Sequence, residues 1–130
     1  MTEESILHEI LARGDGFGHR QHLELTWRCL ESHPPEEALA IVADAIRRVA
    51  AAHGAAAKYH ATITSGWVRC VAVHRERWPA DDFNQFIDRN PELLDPKLLE
   101  HFYSPDLLFS DAARAAITSP DRRALPVLAG

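Results

Sequence analysis

The length, composition and charge of this chain exclude several classes of protein. A chain of 130 residues, of which 46% are hydrophobic and 25% charged, is long enough to bury one core without disulfides or metal as scaffolding. Its formal net charge is −5, and no cluster of lysine or arginine exceeds a pair, so we expect no nucleic-acid partner.

The sequence carries no pattern for membrane insertion or secretion. No apolar run reaches the roughly 18 residues that a membrane span needs, and the acidic N-terminus has no signal-peptide pattern. Cys29 and Cys70 lie within helical patterns, where buried free thiols are typical of a reducing compartment. We therefore expect a soluble, cytoplasmic protein without a membrane partner.

The hydrophobic pattern is helical from the N-terminus onwards and predicts four main helices, at about 3–13, 17–32, 35–54 and 56–77. The turn GDGFG separates the first two helices. Pro35 suits the first turn of the third helix, and Gly54 suits its C-terminal end. On the second helix, Arg20, Glu24 and Arg28 predict a solvated face, because charges of opposite sign lie four residues apart.

Shorter elements make up the last third of the chain. Asp81 or Asp82 is expected to cap a short helix, and Asp95 and Ser104, each before a proline, are expected to start further turns of helix, as is Ser110. Residues 119–130 are predicted to form an extended tail. The expected fold is all-α: one domain over 1–130, a single compact bundle of about four main helices with a C-terminal wrap of short helices.

Three histidines are predicted to converge in the core of this bundle. At about 100° per residue, His19 and His22 fall on the apolar side of the second helix, and His60 falls on that of the fourth. Side chains three apart on a helix can chelate one ion, and a third histidine can close the site from the facing helix. The sequence therefore predicts a mononuclear metal site at His19, His22 and His60. Copper or zinc suits imidazole ligands best, and iron or nickel is an alternative.

A second set of residues is expected around this site. Thr26 and Thr64 lie one turn after His22 and His60 and could bond an imidazole nitrogen. The full set of candidates for the second layer of the site or its pocket is Thr26, Tyr59, Thr64, Trp67, His101 and Arg114.

Some of these candidates have an equally simple packing interpretation. Tyr59 and Trp67 suit the core as well as a pocket, and His101 is the best candidate for a fourth ligand. The segment from Tyr103 to Arg114 is expected either to cover the core or to close the pocket, with Arg114 holding an anionic substrate. The histidines themselves could be core groups that are bonded to hydroxyls or backbone carbonyls.

Three motifs along the chain resemble a known set of proteins. They are F-x-H-x-x-H-L from Phe17, Y-H-x-T-x-T-x-x-W from Tyr59 and Y-S-P-x-x-L-F-S from Tyr103. The combination resembles a family of short, uncharacterised bacterial proteins and spans about 17–126. The resemblance implies that the histidines are signature features, but it implies no reaction or cofactor.

Three hypotheses about function follow from the sequence. The first is a small metal-dependent enzyme in which the open position of the three-histidine site takes water, dioxygen or a small-molecule substrate. The alternative is a metal-free helical module that binds a ligand or a partner, a homo-oligomer included, with structurally buried histidines. The third is a structural accessory whose histidines only pack.

Overall fold

Helices provide the regular structure of this protein, for which a computed structural model describes residues 3–128. No strand occurs among these residues, so the predicted all-α class is confirmed. In the same part of the chain, no helix is long and apolar enough to cross a membrane. The four long helices are α1 (Glu3–Ala12), α2 (His19–Cys29), α3 (Pro35–Ala52) and α4 (Ala61–Arg77).

Local signals end and begin the first three helices much as predicted. Gly14 follows α1 with φ +80°, and Gly54 follows α3 with φ +68°, a backbone conformation that glycine adopts without steric cost. Pro35 occupies the first turn of α3, with two acidic residues beside it that favour the positive end of the helix dipole.

The start of α4 differs from the prediction. A short 3₁₀ helix (Ala56–Lys58) precedes it, the chain is extended at His60, and α4 begins only at Ala61. His60 is therefore the residue that caps α4, not a residue within it. Downstream, α4 continues through Gly66, where the side chain of Leu99 approaches so closely that a β-carbon would lie 3.1 Å from it.

The core consists of two apolar clusters, to both of which α2 and α4 contribute. One cluster joins α1, α2 and α3 to Val68 of α4, around Ile10 and Val42. The other joins α2 and α4 to the C-terminal third of the chain around Trp67 and Phe86. Because α2 and α4 contribute to both clusters, they are the central pair of helices.

The C-terminal third wraps around α2 and α4 in short elements. In chain order these are α5 (Phe83–Arg89), 3₁₀ helices at Pro91–Leu94 and Leu98–His101, α6 (Pro105–Leu108) and α7 (Asp111–Ala115). Asp82, Ser104 and Ser110 cap α5, α6 and α7 with their side-chain oxygens. Residues 117–128 have no helix, in line with the predicted extended tail, and 129–130 lie outside the described residues.

The predicted solvated face of α2 is buried at its centre. Glu24 is only 7% exposed and accepts two hydrogen bonds from Arg13, the residue directly after α1, at 2.6 and 2.8 Å. Arg28 lies 3.5 Å from the same carboxylate, whereas Arg20 instead donates to Asn84. The partner of Glu24 comes from the turn after α1, and sequence periodicity within α2 carries no information about it.

Candidate functional site

His60 uses both of its ring nitrogens in hydrogen bonds within the protein. Its Nδ1 accepts a bond of 3.1 Å from the backbone N–H of Ile63, which caps α4. Its Nε2 donates a bond of 2.6 Å to the carbonyl oxygen of Leu108, 48 residues further along the chain. A metal ion could reach this imidazole only after one of the two bonds breaks.

Burial also favours the neutral form of His60. It lowers the pKa of this imidazole, and the nearby charge of Arg114 lowers it further, against the bond to Leu108, which raises it. The segment from Tyr103 to Arg114 therefore lies against His60. The carbonyl of Leu108 accepts a hydrogen bond from the imidazole, and the charge of Arg114 lowers its pKa.

His19 holds a different part of the wrap. Its Nε2 donates a hydrogen bond of 2.8 Å to the carbonyl oxygen of Leu93, in the 3₁₀ helix after α5. Its ring meets Trp67 edge-on, with 4.3 Å between ring centroids. An imidazole held at one nitrogen by a backbone carbonyl has the orientation that metal-bound histidines often show, with the other nitrogen as the ligand.

His22 is the exception among the three predicted ligands. Its Nε2 is buried, and no hydrogen-bond partner for it exists within the described residues. Burial lowers the pKa of His22 to about 4, and the neighbouring His19 contributes to the shift. The imidazole is therefore neutral at physiological pH, with a buried nitrogen that lacks a partner.

The fit of these residues to the predicted metal centre is partial. His60 has no ring nitrogen left to bind a metal ion, because both are hydrogen-bonded. His19 and His22 lie in the first turns of α2, and each has a ring nitrogen without a hydrogen bond within the described residues. Between residues 3 and 128, no group of three or more histidine, cysteine, aspartate or glutamate side chains could hold a metal ion.

The expected second layer of the site serves the backbone. The hydroxyl of Thr26 donates to the carbonyl of His22 at 2.9 Å, and that of Thr64 donates to the carbonyl of His60 at 2.8 Å. Hydroxyls within a helix commonly bond the carbonyl four residues earlier, and here this bond takes precedence over one to an imidazole.

The remaining candidates are spread over the molecule. Trp67 is buried against His19, Arg114 is half-buried near His60, and His101 is exposed on the wrap. Tyr59 lies under Arg47, whose guanidinium carbon is 4.5 Å from the ring centroid.

Neither cysteine has the environment of a reactive thiol. Cys29 and Cys70 are buried and form no disulfide within the described residues, and burial raises the pKa of the Cys70 thiol to about 12. This agrees with their interpretation as buried thiols.

Sequence reasoning missed a pair of buried polar groups beside a groove. The guanidinium carbon of Arg75 on α4 lies 5.1 Å from the ring centroid of Trp27 on α2, and neither Arg75 Nε nor Trp27 Nε1 has a described partner. Arg75 also lines a groove of about 400 Å³. Periodicity places Trp27 in the core, but it does not indicate that a charged residue of another helix will cover it.

Comparison with family models, with curated proteins and with solved structures finds no match to this chain. The resemblance of its motifs to a bacterial family therefore stays a prediction.

Proposed function

We propose that this protein is a metal-free helical binding module, in which histidines fasten the C-terminal wrap to the bundle and a groove elsewhere receives a small ligand. The observation that carries the proposal is that both ring nitrogens of His60 form hydrogen bonds within the protein, Nδ1 with Ile63 and Nε2 with Leu108. The imidazole on which a three-histidine site depends is used for structure.

The fastening role extends to other side chains of the central helices. The hydroxyl of Thr62 on α4 donates to the carbonyl of Ala116 and accepts from the N–H of Thr118, each at 3.0 Å. His19 on α2 bonds Leu93 in the same manner. Side chains from both helices therefore satisfy backbone groups of a wrap that has little regular structure of its own.

A second candidate function is favoured by one specific observation, the buried and unpartnered Nε2 of His22. A buried polar atom without a partner often marks a bound water or ion. In this alternative, His19 and His22 bind a single copper or zinc ion without His60. The reduced cysteines fit a cytoplasmic location under either proposal.

Elemental analysis of the untagged protein separates the two candidates. Wild type is compared with His22→Ala and with His8→Ala, whose histidine is exposed on α1, after incubation with copper or zinc and removal of free ion. The metal-free module predicts no near-stoichiometric metal in any of the three proteins. Circular dichroism confirms that each variant is folded.

A near-stoichiometric ion that His22→Ala loses and His8→Ala keeps would overturn the metal-free proposal and support the two-histidine site. An ion that both variants retain would contradict both candidates, because it would lie at neither histidine.

A further inference from the structure

A groove opens where the end of α2, the start of α3 and the second half of α4 meet. Its volume is about 400 Å³, within the range of small-molecule sites. The lining residues are Leu30, His33, Pro34, Pro35, Ala72, Arg75, Glu76 and Leu128. None of the three histidines that were predicted to bind metal is among them.

A half-buried arginine lies on one side of this groove. Arg75 lines it, and its guanidinium carbon lies 5.1 Å from the ring centroid of Trp27, which is 4% exposed. A guanidinium can only donate hydrogen bonds, so a ligand that pairs with Arg75 must carry an acceptor.

The start of α3 borders the groove but does not add to this preference. Its first residue, Pro35, lines the groove and has no N–H, and Glu36 and Glu37 already place negative charge at the positive end of the helix dipole.

Other groups limit the charge and the shape of the ligand. Glu76 also lines the groove, and His33 lies 3.3 Å from Glu37, so the surroundings are not strongly basic. Leu30, Ala72 and Leu128 add apolar surface to the lining. A single negative charge on an apolar body suits this combination better than a polyanion.

We propose that this groove binds a small monocarboxylate with an apolar body, with its carboxylate against the guanidinium of Arg75. The inference rests on the proposed binding function and names the site and the ligand class. Arginine pairs with carboxylates through two parallel hydrogen bonds, and Arg75 is the arginine that lines this groove.

The test uses the indole signals of the full-length protein in ¹H–¹⁵N NMR spectra. The chain has three tryptophans, so the Trp27 indole N–H can be assigned by substitution and followed in titrations. The probes are octanoate, N-acetyl-leucine and octylamine, which has an apolar chain but the opposite charge. The two carboxylates distinguish a fatty acid from the end of a peptide as the source of the group.

We expect a saturable shift of the Trp27 signal with at least one carboxylate and none with octylamine. Arg75→Gln should weaken the binding by about tenfold or more, because a charge-assisted pair is lost. Arg77→Gln, at the exposed end of α4, should bind like wild type. Arg75→Lys keeps the charge but not the planar fork and should bind at an intermediate strength.

The inference is overturned if neither carboxylate gives a saturable shift in wild type, if octylamine binds equally well, or if both Arg75 variants bind like wild type. Should Arg75→Gln not fold, the comparison of Arg75→Lys with Arg77→Gln decides in its place. These outcomes are independent of the metal analysis, so a failed titration and a bound metal ion are separate results.

Discussion

Two histidines of this protein, His60 and His22, differ in how their ring nitrogens are used. At the start of α4, His60 caps the helix and bonds the wrap, so both of its nitrogens have partners. In α2, His22 has a buried Nε2 for which the described residues supply no partner. Histidine therefore stabilises the fold at position 60. At position 22 it either lowers the stability of the fold or serves as a functional group.

The difference follows from what lies opposite each ring. The carbonyl of Leu108 comes from a short helix that the wrap brings against the start of α4. An unpaired buried donor or acceptor generally costs about 1–3 kcal/mol, so His22 is either tolerated at that cost or partnered by a group such as water or an ion.

The largest expected effect comes from removing the satisfied histidine. His60→Ala should lower the free energy of unfolding by about 2–4 kcal/mol, because the cap of α4 is lost and the Leu108 carbonyl loses its partner. Urea denaturation followed by circular dichroism measures the change.

His60→Asn is the matched variant for this prediction. Asparagine is a good N-cap residue but is too short to reach Leu108, so the loss should be about half as large. Equal losses in the two variants would mean that the cap contributes nothing. A loss below about 0.5 kcal/mol in His60→Ala would contradict the fastening role.

The unsatisfied histidine is expected to act through pH. The pKa of His22 is about 4 in the folded protein, below the usual value near 6.5 in the unfolded chain. As pH falls from 6.5 to 4, the unfolded state takes up a proton that the folded state does not, so stability falls by up to about 3 kcal/mol.

His22→Leu should remove this part of the pH dependence, and at pH 7 it should leave stability unchanged or raise it by about 1 kcal/mol. Denaturation curves between pH 4 and 8 measure both effects. A smaller decline should persist in the variant, because burial also lowers the pKa of His60. If the variant instead follows the wild-type profile, His22 does not remain neutral in the folded state.

A smaller effect is expected at a hydroxyl that fastens the end of the wrap. Thr62→Val preserves the shape of the side chain but removes both bonds to residues 116 and 118, and it should cost about 1–2 kcal/mol. Thr118→Val, which removes a local bond to Ala116, is the control and should cost less than about 0.5 kcal/mol. A similar loss in both variants, again measured by urea denaturation, would argue against a specific role of Thr62.

Much of the fold was predictable because it depends on local chemistry. The caps at Asp82, Ser104 and Ser110 and the turn at Gly54 act within a few residues of their own positions, and the sequence displays them directly. The inward position of His19 was also predictable, since it follows from periodicity within one helix.

The details of the candidate site depended on distant partners. Histidine is not among the preferred N-cap residues, so nothing local indicated that α4 would begin after His60 and not at about residue 56. Its role depends on Leu108, 48 residues away. The pairing of Glu24 with Arg13 and the contact of Arg75 with Trp27 likewise join different elements of the fold.

The sequence by itself determined the all-α class, the approximate positions of the four main helices and the inward side of His19 on α2, because hydrophobic periodicity and capping are short-range properties. Only the tertiary structure decided which nitrogens of His19, His22 and His60 are used and which arginine lines the groove. Those outcomes depend on which backbone carbonyls the wrap places opposite each side chain, and periodicity along a single helix carries no record of them.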